Sequence, residues 1–111
     1  MKITVSARNA DVSPALRAAA EAKIGRLARL ASGLDRAWVH FTEERNPRIL
    51  EREVCDVSID GRGRHLRCKA TARDGFVAID KAVEKLEQQL QREKTKVLRR
   101  DTGFVTAHRA S

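Results

Sequence analysis

Three histidines, two cysteines, a run of acids and a glycine pair are the residues from which a reaction centre would have to be built. His40 falls in an alternating strand pattern, His65 beside a hairpin turn and His108 in the tail, and none stands at ligand-like spacing from a cysteine or carboxylate. Cys55 and Cys68 are spaced neither as a metal motif nor as CxxC. Each sits among alternating apolar residues and reads as a reduced core thiol, with a disulfide the lesser alternative. Glu43, Glu44, Glu51 and Glu53 have the donor chemistry for a cation, but Arg45, Arg48 and Arg52 lie among them, which favours a charge-balanced hairpin. Asp60-Gly61-Arg62-Gly63 lacks the strand-to-helix context of a phosphate loop. No nucleophile, base and orienting group come together. The chain is expected to be no enzyme, with no metal, no cofactor and no small-molecule substrate.

The spacing supports another chemistry, the binding of a polyanion. From Phe76 to Arg100 no proline or glycine interrupts a helix, and Phe76, Ile79, Val83, Leu86, Leu90 and Val97 fall on one apolar stripe. Lys81, Lys85, Arg92, Lys96 and Arg99 collect within roughly 60° of one another on the other side. Asp80, Glu84 and Glu87 gather on one flank, whereas a merely solvated helix intersperses both signs. An earlier helix carries Lys23, Arg26 and Arg29 at every third position, with only Ala18, Ala22 and Gly25 on its outer surface. Two basic rows on neighbouring helices predict a shared groove that focuses positive potential on a phosphate backbone. Arg8, leaving the first strand near the start of the first helix, extends the patch at one end.

Composition agrees. The chain has 111 residues and a net charge of +8, which bounds it to one small domain and favours a nucleic acid or anionic surface as partner. No apolar run is long enough to span a bilayer, and the N-terminus has no signal-peptide pattern, so a cytoplasmic protein is expected. Aromatic residues are few, with one tryptophan, three phenylalanines and no tyrosine. Phe41 and Phe76 fall on core faces, so a sheet stacking a run of splayed bases is not expected. Contact through phosphates and 2′-hydroxyls fits better, with Trp38 on the open sheet face as a candidate partner contact.

The elements that must position these rows follow from periodicity. Ile3, Val5 and Ala7 alternate as a strand, and Ser13-Pro14 starts a helix running to about Ala31, with Gly33 as its stop. Ala37, Val39 and Phe41 mark a second strand, and Asn46-Pro47 a loop. Cys55, Val57 and Ile59 mark a third strand, Asp60-Gly61 a hairpin turn, and Leu66, Cys68, Ala70 and Ala72 a fourth strand. Asp74 caps the last helix. The order β-α-β-β-β-α predicts an α+β fold, a four-stranded mixed sheet with two helices on one face. Residues 1–100 form the domain, and 101–111 an unpatterned, flexible tail that can begin a linker.

These segments resemble the ribosome hibernation-promoting factor / ribosome-associated inhibitor A family, once called the sigma-54 modulation protein family. The resemblance rests on Ala7-Arg8-Asn9, Val12 to Arg17, Lys23-Ile24-Gly25-Arg26-Leu27 and the run Asp74 to Leu90, and it spans Met1 to about Lys96. It implies the same fold, similar in layout to double-stranded-RNA-binding domains. It also implies binding to small-subunit rRNA in the mRNA–tRNA channel, at the A and P sites, which blocks translation in stress or stationary phase. Lys23, Arg26, Arg29, Lys85 and Arg92 match the family's rRNA-facing positions, whereas Gln88 and Gln91 stand where many members carry basic residues. Dimerisation of ribosomes is expected only if a C-terminal domain exists beyond residue 111. The alternatives are a general double-stranded-RNA binder, or a protein-interaction module acting on a transcription factor through the face around Trp38 and His40.

Overall fold

The computed structural model describes residues 1–31 and 33–106, with side chains described as far as Arg92. The elements are β1 (Lys2–Arg8), α1 (Pro14–Leu30), β2 (Arg36–Glu43), β3 (Glu53–Gly61), β4 (Arg64–Ala72) and α2 (Gly75–Thr106). One four-stranded sheet has the order β1-β2-β3-β4. β1 and β2 are parallel, joined by the crossover that α1 provides, and β2, β3 and β4 form an antiparallel meander. This is the α+β architecture that the sequence predicts.

Local chemistry starts each helix. Ser13 Oγ accepts from the Leu16 amide at 3.1 Å, and Pro14 opens α1. Asp74 Oδ1 accepts from the Val77 amide at 2.9 Å ahead of α2. The inward strand rows Val5–Val39–Val57–Cys68 and Phe41–Cys55–Ala70 meet Leu16, Ala20, Ile24 and Leu27 of α1 and Ile79, Ala82, Leu86 and Leu90 of α2 in one core. Both helices therefore cover the same face of the sheet.

Four features differ from expectation. α1 ends as Ala31 takes extended backbone, and Gly33 adopts its positive φ of 89° only further on. The β3–β4 turn is Arg62-Gly63, both with positive φ (48° and 72°), because strand pairing continues to Gly61 and Arg64. Those angles suit the turn whose twist matches the strands. Gly61 serves a close approach instead: a Cβ there would collide with the Gly33 carbonyl oxygen and the Leu34 backbone. Phe76, expected in the core, is 44% exposed, while Ala78 and Ala82 are fully buried. Small side chains let α2 settle close on the sheet, so the buried stripe runs through them and Phe76 turns outward in the first turn. Finally, α2 continues past Arg100 to Thr106, into the segment expected to be loose. Residues 107–111, with the side chains of Val97 and Phe104, lie outside the described residues.

Candidate nucleic-acid interface

The orientation of α2 decides what its lysines do. Lys81 Nζ donates to the carbonyl of Thr71 at 3.1 Å, Lys85 Nζ to that of Lys69 at 2.9 Å, and Gln89 Nε2 to that of Arg67 at 3.5 Å. Steps of four on the helix match steps of two on β4. This row therefore covers the carbonyls of an edge strand, groups that would otherwise template pairing with another chain. Lys81 also approaches Glu51 at 3.5 Å. On the opposite edge Arg17 Nη1, from α1, donates to the carbonyl of Val5 at 3.2 Å. Each helix thus sends a basic side chain over the sheet edge nearest to it.

The other flank of α2 is acidic and faces α1, where Asp80 pairs with Lys23. Among the described residues, the flank of α2 that meets α1 is therefore acidic at Asp80 and not basic. The rows diverge, because Lys81 and Lys85 turn toward β4 to reach its carbonyls, and this leaves Asp80 to meet α1. Arg26 and Arg29 stand exposed on α1, and Arg92 is exposed farther along α2. None of the three has an ion-pair partner among the described residues. Arg8 alternates onto the open face of the sheet, opposite Thr42, away from both helices. The side chains of Lys96 and Arg99 lie outside the described residues.

The open face carries polar residues that sequence patterning left unassigned. Thr4, Trp38, Ser58 and Arg67 form one cross-strand row, and Ser6, His40, Asp56 and Lys69 the next. Ser6 Oγ and His40 Nδ1 lie 2.8 Å apart. Serine, histidine and aspartate in a row suggest hydrolysis, but a catalytic triad presents Nδ1 to the acid and the other nitrogen to serine. Here serine takes Nδ1. Asp56 is engaged elsewhere, accepting from Arg67 Nη2 at 2.9 Å, and that hydrogen bond holds its carboxyl below the usual aspartate range. His65 similarly pairs with Asp60.

The remaining reactive groups are structural. Cys55 and Cys68 are free and buried. Burial pushes the Cys55 thiol up to about 12 and the Cys68 thiol to about 11, the opposite of a nucleophilic cysteine. Burial, then the nearby carboxylates of Glu43 and Asp74, raises Glu53 above the usual glutamate range. Among the arginines that lie between the acids, Arg52 holds the β2–β3 loop, donating to the carbonyls of Ile49 at 3.0 Å and Pro47 at 2.8 Å. Among the described residues no cluster of His, Cys, Asp or Glu is arranged to hold a metal ion, and no helix is long and apolar enough to cross a membrane.

Known proteins share this fold. The chain is 30% identical over 103 residues to a ribosome hibernation promoting factor of Azotobacter vinelandii, spanning 93% of this chain and 92% of that protein. It is 23% identical to one of Klebsiella oxytoca, covering 97% of that protein. A ribosome hibernation promotion factor of Lactococcus lactis is 30% identical, and the chain spans 56% of its length. In three dimensions the chain superposes on the Protein Y N-terminal domain of Thermus thermophilus with a TM-score of 0.69 at 30% identity, over 83% of this chain and 98% of that one. A ribosomal subunit interface protein from Coxiella burnetii has the same fold, with a TM-score of 0.74 at 24% identity, over 86% of this chain and 99% of that one. A family model described as sigma 54 modulation protein / S30EA ribosomal protein matches residues 3–98, from β1 into α2, and the chain belongs to that family.

Proposed function

We propose that this protein is a non-enzymatic ribosome-hibernation factor of the cytoplasm. It binds rRNA of the small ribosomal subunit in the mRNA–tRNA channel, across the A and P sites, and blocks translation by occupying that space. The observation that carries this reading is the set of cations on the outer helix surfaces. Arg26, Arg29 and Arg92 are exposed without ion-pair partners among the described residues, on a framework in which His40 and His65 make side-chain contacts and both cysteines are buried. Such cations release counterions from a phosphate backbone on contact, and the scaffold needs no moving part to obstruct a channel. Family membership and the names of the relatives support the hibernation role; the position in the channel follows the family resemblance.

Co-sedimentation with small subunits across a salt series tests it. Binding should weaken steeply with salt, mRNA and tRNA loaded in the channel should compete, and Arg26→Glu with Lys85→Glu should lower both affinity and salt slope. Unchanged binding and slope in that variant would reject the surface. Equal affinity for plain duplex RNA would point to a general duplex binder.

A further inference from the structure

Trp38 is the single tryptophan of the chain. It stands on the open face of the sheet, away from both helices, and is 40% exposed. Its cross-strand neighbours, Thr4 and Ser58, are short and leave the indole in solvent. On the same face, at the adjoining inter-strand position, Lys2 of β1 and Arg36 of β2 are register partners. Like charges directly opposite one another destabilise a sheet. Neither side chain has an ion-pair partner among the described residues. Asp60, across from Arg36 on β3, is taken by His65.

Lys2, Thr4, Arg36 and Trp38, with Ala37, line a cleft of about 180 Å³. That is smaller than the roughly 300–1,000 Å³ of a pocket that encloses a whole ligand, so the cleft suits one unit of a longer polymer. The polymer must offer a flat π-face to the indole and an anion to the paired cations. An acidic peptide supplies the anion without the π-face. A base-paired duplex supplies the anion but keeps its bases stacked inside. We infer that this cleft is a subsite for one unpaired nucleotide of an RNA strand, its base stacked on Trp38 and its phosphate held by Lys2 and Arg36. The subsite lies across the sheet from Arg26 and Arg29, so it stands independently of the helix surface and of the role proposed above. It offers one indole face, because Trp38 is the only tryptophan, tyrosine or phenylalanine on the open face among the described residues.

The lone tryptophan makes the experiment direct, since its emission reports from inside the cleft. The full chain is titrated with a short oligouridylate, with a blunt RNA duplex of equal length, and with a short polyglutamate peptide. Saturable quenching by the single strand, with none from the duplex or the peptide, is the expected result. Trp38→Ala should weaken binding of a fluorescein-labelled oligouridylate by about 5- to 150-fold, the range for loss of one base–aromatic stack. Lys2→Glu with Arg36→Glu should abolish the quenching. Circular dichroism confirms folding of each variant, and the unmodified protein alone decides the matter if one unfolds. Equal quenching by duplex or peptide, or no quenching by the single strand, would overturn the subsite.

Discussion

The ammonium of Lys85 on α2 lies 2.9 Å from the main-chain carbonyl oxygen of Lys69 on β4. The contact joins the two facts that define this molecule, a helix rich in cations and a sheet with two open edges. Lys81, Lys85 and Gln89 form one row over β4, so part of the positive charge that marks the chain as a polyanion binder also closes its fold. An RNA approaching that flank meets ammonium groups already bonded to carbonyl oxygens, while on α1 it meets Arg26 and Arg29, which have no ion-pair partner among the described residues.

Lys85→Met should therefore destabilise the folded state by about 0.5–1.5 kcal/mol, the net worth of one hydrogen bond. Arg92→Met, on an exposed site with no partner among the described residues, should stay within about 0.5 kcal/mol. Urea denaturation of both variants checks the contrast. Equal midpoints would mean that the Lys85–Lys69 contact adds nothing in solution.

For ribosome binding the ranking should differ. Lys23 is engaged by Asp80, so Lys23→Met removes a charge that is already partly neutralised. Arg26→Met and Arg29→Met each remove one with no ion-pair partner among the described residues. Each arginine substitution should lower the slope of log affinity against log salt by about 1, and Lys23→Met by less. Pelleting assays at several salt concentrations read these slopes.

The strands and the caps at Ser13 and Asp74 were legible in the sequence because each is set locally, by alternation within one strand or by a side chain reaching an amide three residues on. The rotation of α2 was not. Its stripe could be drawn through Phe76 or through Ala78 and Ala82, and only the close approach to the sheet favours the alanines. That rotation sends Lys81 and Lys85 to β4 and Asp80 to Lys23, so the helix wheel identified the cations without showing where they point. Lys2 and Arg36 were invisible as a pair for a related reason. They lie far apart in sequence, and only the parallel register of β1 and β2 sets them side by side.

Two carboxylates should give stability an opposite dependence on pH. Hydrogen bonding to Arg67 lowers Asp56 below its usual range, so its contribution is present above the unfolded value and is lost as pH falls through the folded one. Glu53 is raised above 4.5 by burial and by Glu43 and Asp74. Its protonated form is favoured in the folded state, and that advantage is lost as pH rises through the folded value. Glu53 is also the cross-strand partner of Glu43. Glu53→Gln should stabilise the protein at neutral pH by about 0.2–1 kcal/mol, a gain that vanishes below the ordinary glutamate range. Asp56→Asn should destabilise at neutral pH and converge with the parent protein in acid. Thermal melts across pH 3 to 8 separate the two.

The buried thiols yield the last test. With its thiol pushed up to about 12, Cys55 is ionised to only roughly one part in ten thousand at pH 8, and both cysteines are covered by the core. A disulfide-exchange reagent should therefore label neither in the folded protein and both in urea, at a rate that follows global opening. The two sites should differ when a hydroxyl replaces the thiol. Cys68 Sγ lies 3.2 Å from the carbonyl of Ala82, an acceptor that Cys68→Ser can use. Cys55 makes no such contact among the described residues, so Cys55→Ser leaves a buried hydroxyl unpaired, at about 1–3 kcal/mol. If Cys68→Ser proves as damaging as Cys55→Ser in urea denaturation, the contact to Ala82 does not support a donor there.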